Sequence, residues 1–284
     1  MRESERRHAI AAATAIAASL GLAADDAVVL HDSNKLALRL LPCDVMARVG
    51  PLGHGVARFE VDIAHRLAAA GAPVAALDPR SGPRVHERDG FEVTLWTHYT
   101  APASGHPGPA DHADALRRLH AGMRGLDVPM PHFADRIGQA QRLVADRDRT
   151  PALADADREL LADTLRSQRR TILEHGAPEQ ALHGEPHPGN VLDTDRGPLF
   201  IDFETCCRGP VEFDLAHAPA EVAAHYPGAD PALLRECGLL VLALVTAWRW
   251  DRDDLFPDGL RMGTEWLGRI RAVRDTGADP NVRV

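Results

Sequence analysis

The chain has 284 residues, 45% hydrophobic and 26% charged, a composition that excludes a wholly disordered polypeptide. Its formal net charge of -9, from 32 basic against 41 acidic side chains, argues against a general polyanion binder, so no nucleic-acid partner is expected. Four cysteines are too few for a disulfide scaffold at this length, and the adjacent Cys206 and Cys207 read as small buried side chains in a reducing compartment.

At the N-terminus, Arg6 and Arg7 precede an alanine-rich stretch, residues 9–22, that superficially imitates a secretory signal. Glu3 and Glu5 put acid where a signal carries only base, and the run is mostly alanine. It therefore reads as a helix, with Ile10, Ile16 and Leu20 near one face. No other run approaches the roughly 18 apolar residues of a membrane span, and a cytoplasmic protein with no membrane partner is expected. Three short apolar stretches follow, 27–30, 36–40 and 45–49, separated by turn residues, which predicts an antiparallel meander. A loop at 50–55 leads into a helix over 57–70, where Phe59, Ile63, Ala64 and Leu67 recur at helical spacing and Gly71 stops it. Strands are predicted at 74–77, 84–87 and 91–96, the last two joined by a turn at Asp89 and Gly90.

Residues 102–109, rich in Pro, Gly and Ser, form a connection. Beyond it, helices are predicted over 111–123, 134–146, 154–175 and 231–250. A loop-rich island, 182–214, sits between the third and fourth, with apolar runs at 191–192 and 199–203; a polar tail from 275 is expected to fray. The pattern predicts an α+β, bilobal chain: a lobe at 1–98 with a small antiparallel sheet, and a larger, mainly helical lobe at 99–284.

Residues 183–190 read His-Gly-Glu-Pro-His-Pro-Gly-Asn. Two histidines four apart suit zinc on a helix, but Pro186, Pro188 and two glycines forbid a continuous helix, and zinc would need a third ligand. Read as a rigid loop, the segment offers a carboxylate at Glu185 and a carboxamide at Asn190. Asp202 follows the apolar run Leu199, Phe200 and Ile201, and a hairpin would bring Asn190 and Asp202 close across its open end. Hard oxygens at one point suit Mg²⁺, and a nearby carboxylate can accept the proton of an incoming hydroxyl, the minimal equipment for phosphoryl transfer.

On these residues the chain resembles the aminoglycoside phosphotransferase (APH) family of small-molecule kinases, related to choline kinases and to the protein-kinase-like fold. The family's loop H-G-D-x-x-x-x-N is matched by HGEPHPGN, its metal strand by LFIDFE, and its G-x-x-x-x-D-L-A segment by residues 209–216. The resemblance implies that Asn190 and Asp202 bind Mg²⁺, that Glu185 is the catalytic carboxylate, and that Asp214 holds the loop from below. It also implies that Arg48 stands for the phosphate-binding lysine, with Glu60 as its carboxylate partner. Ser33, Asn34 and Lys35 fall at the nucleotide turn, and Trp96 and His98 fall at the hinge that meets the purine edge. The N-terminal lobe then binds nucleotide and the C-terminal lobe carries catalysis and the acceptor. The implied activity transfers the γ-phosphoryl of ATP or GTP to a hydroxyl of an antibiotic-like or metabolite acceptor, with antibiotic resistance as one expected outcome, by a monomer or homodimer.

Two positions depart from the family pattern. Glu185 replaces aspartate, which lengthens the arm by one methylene at nearly the same intrinsic pKa. Arg48 replaces lysine, which changes a point charge into a fork, and Lys35, the chain's single lysine, can supply an ammonium. These departures keep a second reading open, a nucleotide-binding pseudokinase without efficient transfer.

Overall fold

The computed structural model describes residues 1, 3–33, 35–53, 55–100 and 105–277. Asn34 of the predicted nucleotide turn, residues 102–104 of the connection and residues 278–284 of the tail lie outside them. The chain divides into two compact units. Unit 1 comprises Met1–Pro107, Gly125–Val128 and Asn190–Glu204; unit 2 comprises Gly108–Arg124, Pro129–Gly189 and Thr205–Val284.

Unit 1 starts with α1 (Glu3–Ser19), which begins and ends earlier than the predicted 9–22. Its buried residues Ala9, Ala12, Ala13, Ile16 and Ala17 recur at helical spacing, and small side chains let the helix lie close on the sheet. That sheet is β1 (Ala24–Asp32), β2 (Leu36–Pro42) and β3 (Val45–Pro51), then, after α2 (Val56–Ala69), β4 (His86–Arg88) and β5 (Phe91–Thr97). The spatial order is β1-β2-β3-β5-β4, every pair antiparallel. Strand alternation explains the layering: Leu36, Leu38, Leu40, Val45, Ala47 and Val49 are buried on one face, and Arg48 points to the other, where α2 places Glu60. The β4–β5 turn has positive φ at both Asp89 (50°) and Gly90 (84°), the backbone that an Asp-Gly hairpin adopts.

The predicted strand at 74–77 is not formed. The segment changes partners halfway: Ala75 N donates to Phe200 O and Phe200 N to Pro73 O, whereas Thr97 N donates to Ala76 O and Asp78 N to Leu95 O. An apolar run split between two partners makes isolated bridges rather than a ladder.

Unit 2 contains α3 (Pro109–Met123), α4 (Phe133–Ala145), α5 (Asp155–His175), β6 (Gln180–Leu182), β9 (Cys207–Gly209), and the short α6 (Val211–Leu215) and α7 (Ala220–Ala223). It closes with α8 (Pro231–Trp248) and α9 (Gly259–Thr276). Between β6 and β9, the chain enters unit 1 as the hairpin β7 (Val191–Leu192) and β8 (Leu199–Phe200). The predicted apolar run 199–203 is thus a two-residue strand followed by a 3₁₀ turn at Phe203–Thr205. Helix α9 has no counterpart in the sequence-based elements. Helix α8 is long and apolar enough by composition to cross a membrane, in contrast to the expected absence of such a run. Its Cys237, Leu240, Ala243, Leu244 and Ala247 form the centre of the unit 2 core with residues of α4, α5 and α9.

Candidate active site

In unit 1, three carboxylates and two cations converge. Glu60 is completely buried, and Arg48 Nη1 bonds its Oε1. The other arm of the guanidinium, Nη2, lies 3.1 Å from Glu204 Oε1 and 3.3 Å from Asp202 Oδ2. Lys35 Nζ bonds Glu204 Oε1 and lies 3.6 Å from Glu60 Oε2. One fork therefore spans three acids, its two arms turned to different carboxylates. Burial alone would lower the Arg48 pKa, but Glu60, Asp202 and Glu204 outweigh it and hold the guanidinium charged. Burial pushes the Glu60 carboxyl up to about 7 against the pull of Arg48 and Lys35.

The β7–β8 hairpin sets the metal-type donors. Val191 pairs with Phe200, and Ile201 N donates to Asn190 O at 3.0 Å, so Asn190 faces the residue before Asp202. Asp202 has φ of 67°, a left-handed conformation that aspartate tolerates better than most residues and that recurs at functional sites. The carboxylates of Glu60, Asp202 and Glu204 lie within 4.8 Å of one another.

In unit 2, a second constellation centres on Asp214, which is fully buried. Its Oδ2 accepts from His183 N and His120 Nε2, both at 2.9 Å, and its Oδ1 accepts from Gly184 N at 2.8 Å. His120 is fixed in turn by the Tyr226 hydroxyl at 2.7 Å. Gly184 has φ of 90°, and a Cβ there would run into the Thr205 carbonyl. His183 Nδ1 accepts from Glu185 N at 3.3 Å, and His187 Nδ1 accepts from Gly189 N at 3.0 Å, so both imidazoles fold the loop on itself. The Glu185 carboxylate pairs with Arg136 of α4.

The predicted residues Lys35, Arg48, Glu60 and Asp202 are thus brought into one cluster. Ser33 is exposed at the β1–β2 turn. The Trp96 ring is buried and donates to Thr94 Oγ1 at 2.8 Å, outside the cluster, and His98 Nδ1 lies 3.3 Å from Asp44 Oδ1 without a hydrogen bond to it. Glu204 and Arg136 are absent from the sequence-based site. Glu204 carries a weak signal, two positions beyond Asp202; Arg136, in an arginine-rich chain, carries none.

A small antiparallel-sheet unit with an Arg–Glu pair between its third strand and following helix, succeeded by a helical unit with a His-Gly-Glu loop, defines the protein-kinase-like fold of small-molecule kinases. The chain belongs to the phosphotransferase enzyme family, APH, which it matches over residues 21–256. A choline/ethanolamine kinase family protein from Mesorhizobium loti aligns with a TM-score of 0.70 at 21% identity, covering 95% of each chain. An amicoumacin kinase in complex with AMP-PNP, Ca²⁺ and Ami also gives 0.70, at 11% identity over 95% of this chain and 96% of that one. The GDP complex of wild-type aminoglycoside 2'-phosphotransferase-IIIa gives 0.68 at 16% identity, over 92% and 97%. No curated protein matches the sequence. The family and the fold expected from sequence are those found.

Proposed function

We propose that this protein is a small-molecule kinase that transfers the γ-phosphoryl of ATP or GTP to a hydroxyl of an antibiotic-like or metabolite acceptor. The observation that carries the reading is the unit 1 cluster, where Arg48 is buried against Glu60 beside Asp202. In this reading Arg48 and Lys35 bind the nucleotide phosphates, Ser33 belongs to the turn over them, and the backbone from Trp96 to His98 meets the purine. Neighbours of the same fold bound to AMP-PNP with Ca²⁺, and to GDP, support a purine nucleotide donor and a divalent cation.

The donor set fits such a cation, because Asn190 and Asp202 offer hard oxygens from one hairpin end, as Mg²⁺ prefers. When bound, the cation neutralises phosphate charge. Glu185 accepts the hydrogen bond, and finally the proton, of the acceptor hydroxyl, and Asp214 holds its loop through the amides of residues 183 and 184. In this reading residues 1–98 form the nucleotide-binding lobe and 99–284 the catalytic and acceptor-binding lobe, which also lends Asn190 and Asp202 to the cation, in a cytoplasmic enzyme. The second reading, a nucleotide binder without efficient transfer, rests on the two departures from the family pattern, Glu185 for aspartate and Arg48 for lysine.

The test is a γ-labelled nucleotide assay across aminoglycosides, nucleoside antibiotics, macrolides, peptide antibiotics and amino alcohols. Labelled product that requires Mg²⁺ and disappears in Asp202→Ala and Asn190→Ala supports the kinase. Wild-type turnover in either variant refutes the assigned donors, and tight nucleotide binding without product leaves the pseudokinase.

A further inference from the structure

We infer that Arg136 is a positioning residue for Glu185, the side chain around which this loop accommodates a glutamate; the inference rests on the role proposed above for Glu185. Arg136 Nη2 bonds Glu185 Oε1, and Nη1 lies 3.4 Å from Gly184 O. One planar guanidinium thus grips both the carboxylate and the backbone of the loop. The two side chains are only 19% and 24% exposed. A glutamate has one more rotatable bond than an aspartate, and its carboxylate sweeps a wider arc from a fixed loop. A second anchor removes that freedom, and a fork anchors direction as well as charge.

The anchor itself is rigid. Helix α4 is fixed at its start by a reciprocal cap between His132 and Asp135, and Phe133, Ile137 and Ala140 beside Arg136 are buried in the unit 2 core. Support of this kind holds a reacting group to a narrow geometry.

The electrostatics agree with the geometry. Burial pushes the Glu185 carboxyl up, yet Arg136, together with His217 and His187, holds it below the usual carboxylate range. The groups that face it from the neighbouring elements are Arg136 on α4, His217 beyond α6, His187 in the loop and Cys207 on β9. His217 is pushed down to about 4, chiefly by burial, and is neutral at pH 7; burial pushes the Cys207 thiol up, so it too is neutral. Of the groups that hold Glu185 down, Arg136 acts most strongly, through both its charge and its hydrogen bond. It keeps the carboxylate ionised through neutral pH, ready to accept a hydroxyl hydrogen bond, which suits a reaction in which orientation outweighs proton removal.

The experiment compares wild type, Arg136→Gln and Arg136→Lys in the full chain with saturating nucleotide and acceptor. Arg136→Gln lowers kcat about 10–100-fold, the cost of roughly 1 Å of misplacement, and leaves the nucleotide KM nearly unchanged. It also moves the acid limb of kcat/KM to higher pH, because Glu185 loses its main cation. Arg136→Lys restores the acid limb but not kcat, since a point charge supplies the field without the fork. In a Glu185→Asp background, where the shorter arm has lost the grip, Arg136→Gln changes kcat little, a non-additivity that shows Arg136 to act through Glu185. If Arg136→Gln leaves both kcat and the acid limb unchanged in an active enzyme, the inference falls and the kinase reading stands. If wild type transfers no phosphoryl group, the kinase reading falls, and a carboxyl ¹³C NMR titration of Glu185 decides the pairing. A pKa that rises in Arg136→Gln sustains the anchor; an identical one overturns it. Should the Gln variant melt prematurely, the same readouts are taken on the Lys variant, where full kcat overturns the proposal.

Discussion

Asp214→Ala should destabilise unit 2 by roughly 3–5 kcal/mol. The substitution strips the acceptor from two backbone amides and an imidazole, all in fully buried residues. Each orphaned buried donor costs about 1–3 kcal/mol, and part of the sum returns because a carboxylate no longer has to be desolvated. Against a total stability of about 5–15 kcal/mol this is a large fraction. At about 2–4 °C per kcal/mol for a unit of this size, the melting temperature should fall by roughly 6–20 °C. Asp214→Asn keeps the shape but only one oxygen, and should lose about half as much. Calorimetric or circular-dichroism melts of the full chain measure both, and an Asp214→Ala midpoint within about 3 °C of wild type would refute the reasoning. The pH dependence has a definite sign. Burial pushes Asp214 up, but its bonds to His120 and the Gly184 amide, with the nearby His183, hold it below the ordinary carboxylate value. A depressed folded pKa gives stabilisation that is complete above the unfolded value near ~3.9 and is lost as pH falls through the folded value. The gap between wild type and Asp214→Asn should therefore persist through neutral pH and close only in acid.

Arg48→Gln leaves the buried Glu60 beside Asp202 and Glu204 with Lys35 as the remaining cation of the cluster, and should cost roughly 3–5 kcal/mol in urea unfolding; a loss under about 1 kcal/mol would show that the pair is dispensable. Gly184→Ala meets both a positive φ and the Thr205 carbonyl, so it should cost at least about 1–3 kcal/mol and depress kcat, and wild-type melting with wild-type kcat would contradict the tight approach. Glu185→Asp should reduce kcat about 10–100-fold because the shorter arm draws back from Arg136; a rise in kcat would mean that the loop is shaped for aspartate.

The sheet was readable because its local rules agree. Leu36, Leu38 and Leu40 alternate with side chains on the other face, as do Val45, Ala47 and Val49, and Asp89-Gly90 has the backbone its turn demands. The 74–77 segment misled because composition reports strand propensity and not the number of partners a strand will find. Helix α9 was invisible because Gly259, Gly263 and Gly268 dilute its apolar period. At Gly263 the glycine is a packing requirement, since a Cβ there would press on the Trp250 indole and the Arg249 stem at 3.1 Å. The loop at 183–190 and Asp202 could be read because they sit at fixed spacings along the chain. Arg136 and Glu204 act across 49 and 156 residues respectively, and such contacts leave no periodic trace.

Unit 1 is not contiguous in sequence, and that sets a timetable for synthesis. Its five strands have left the ribosome long before Asn190–Glu204, the piece that donates Phe200 to the backbone of Pro73 and Ala75 and Glu204 to Lys35 and Arg48. By then α3, α4 and α5 of the helical unit have already emerged. The five-stranded sheet can pair without that piece, but the Arg48 cluster and the 73–75 segment must wait while the neighbouring unit's first helices are delivered, and the two units mature in overlapping rather than successive order. The same interleaving means that a single cut after Pro107 yields two fragments, one of which carries the other's missing hairpin. Complementation of co-expressed halves, rather than independent refolding, is the behaviour this chain order dictates.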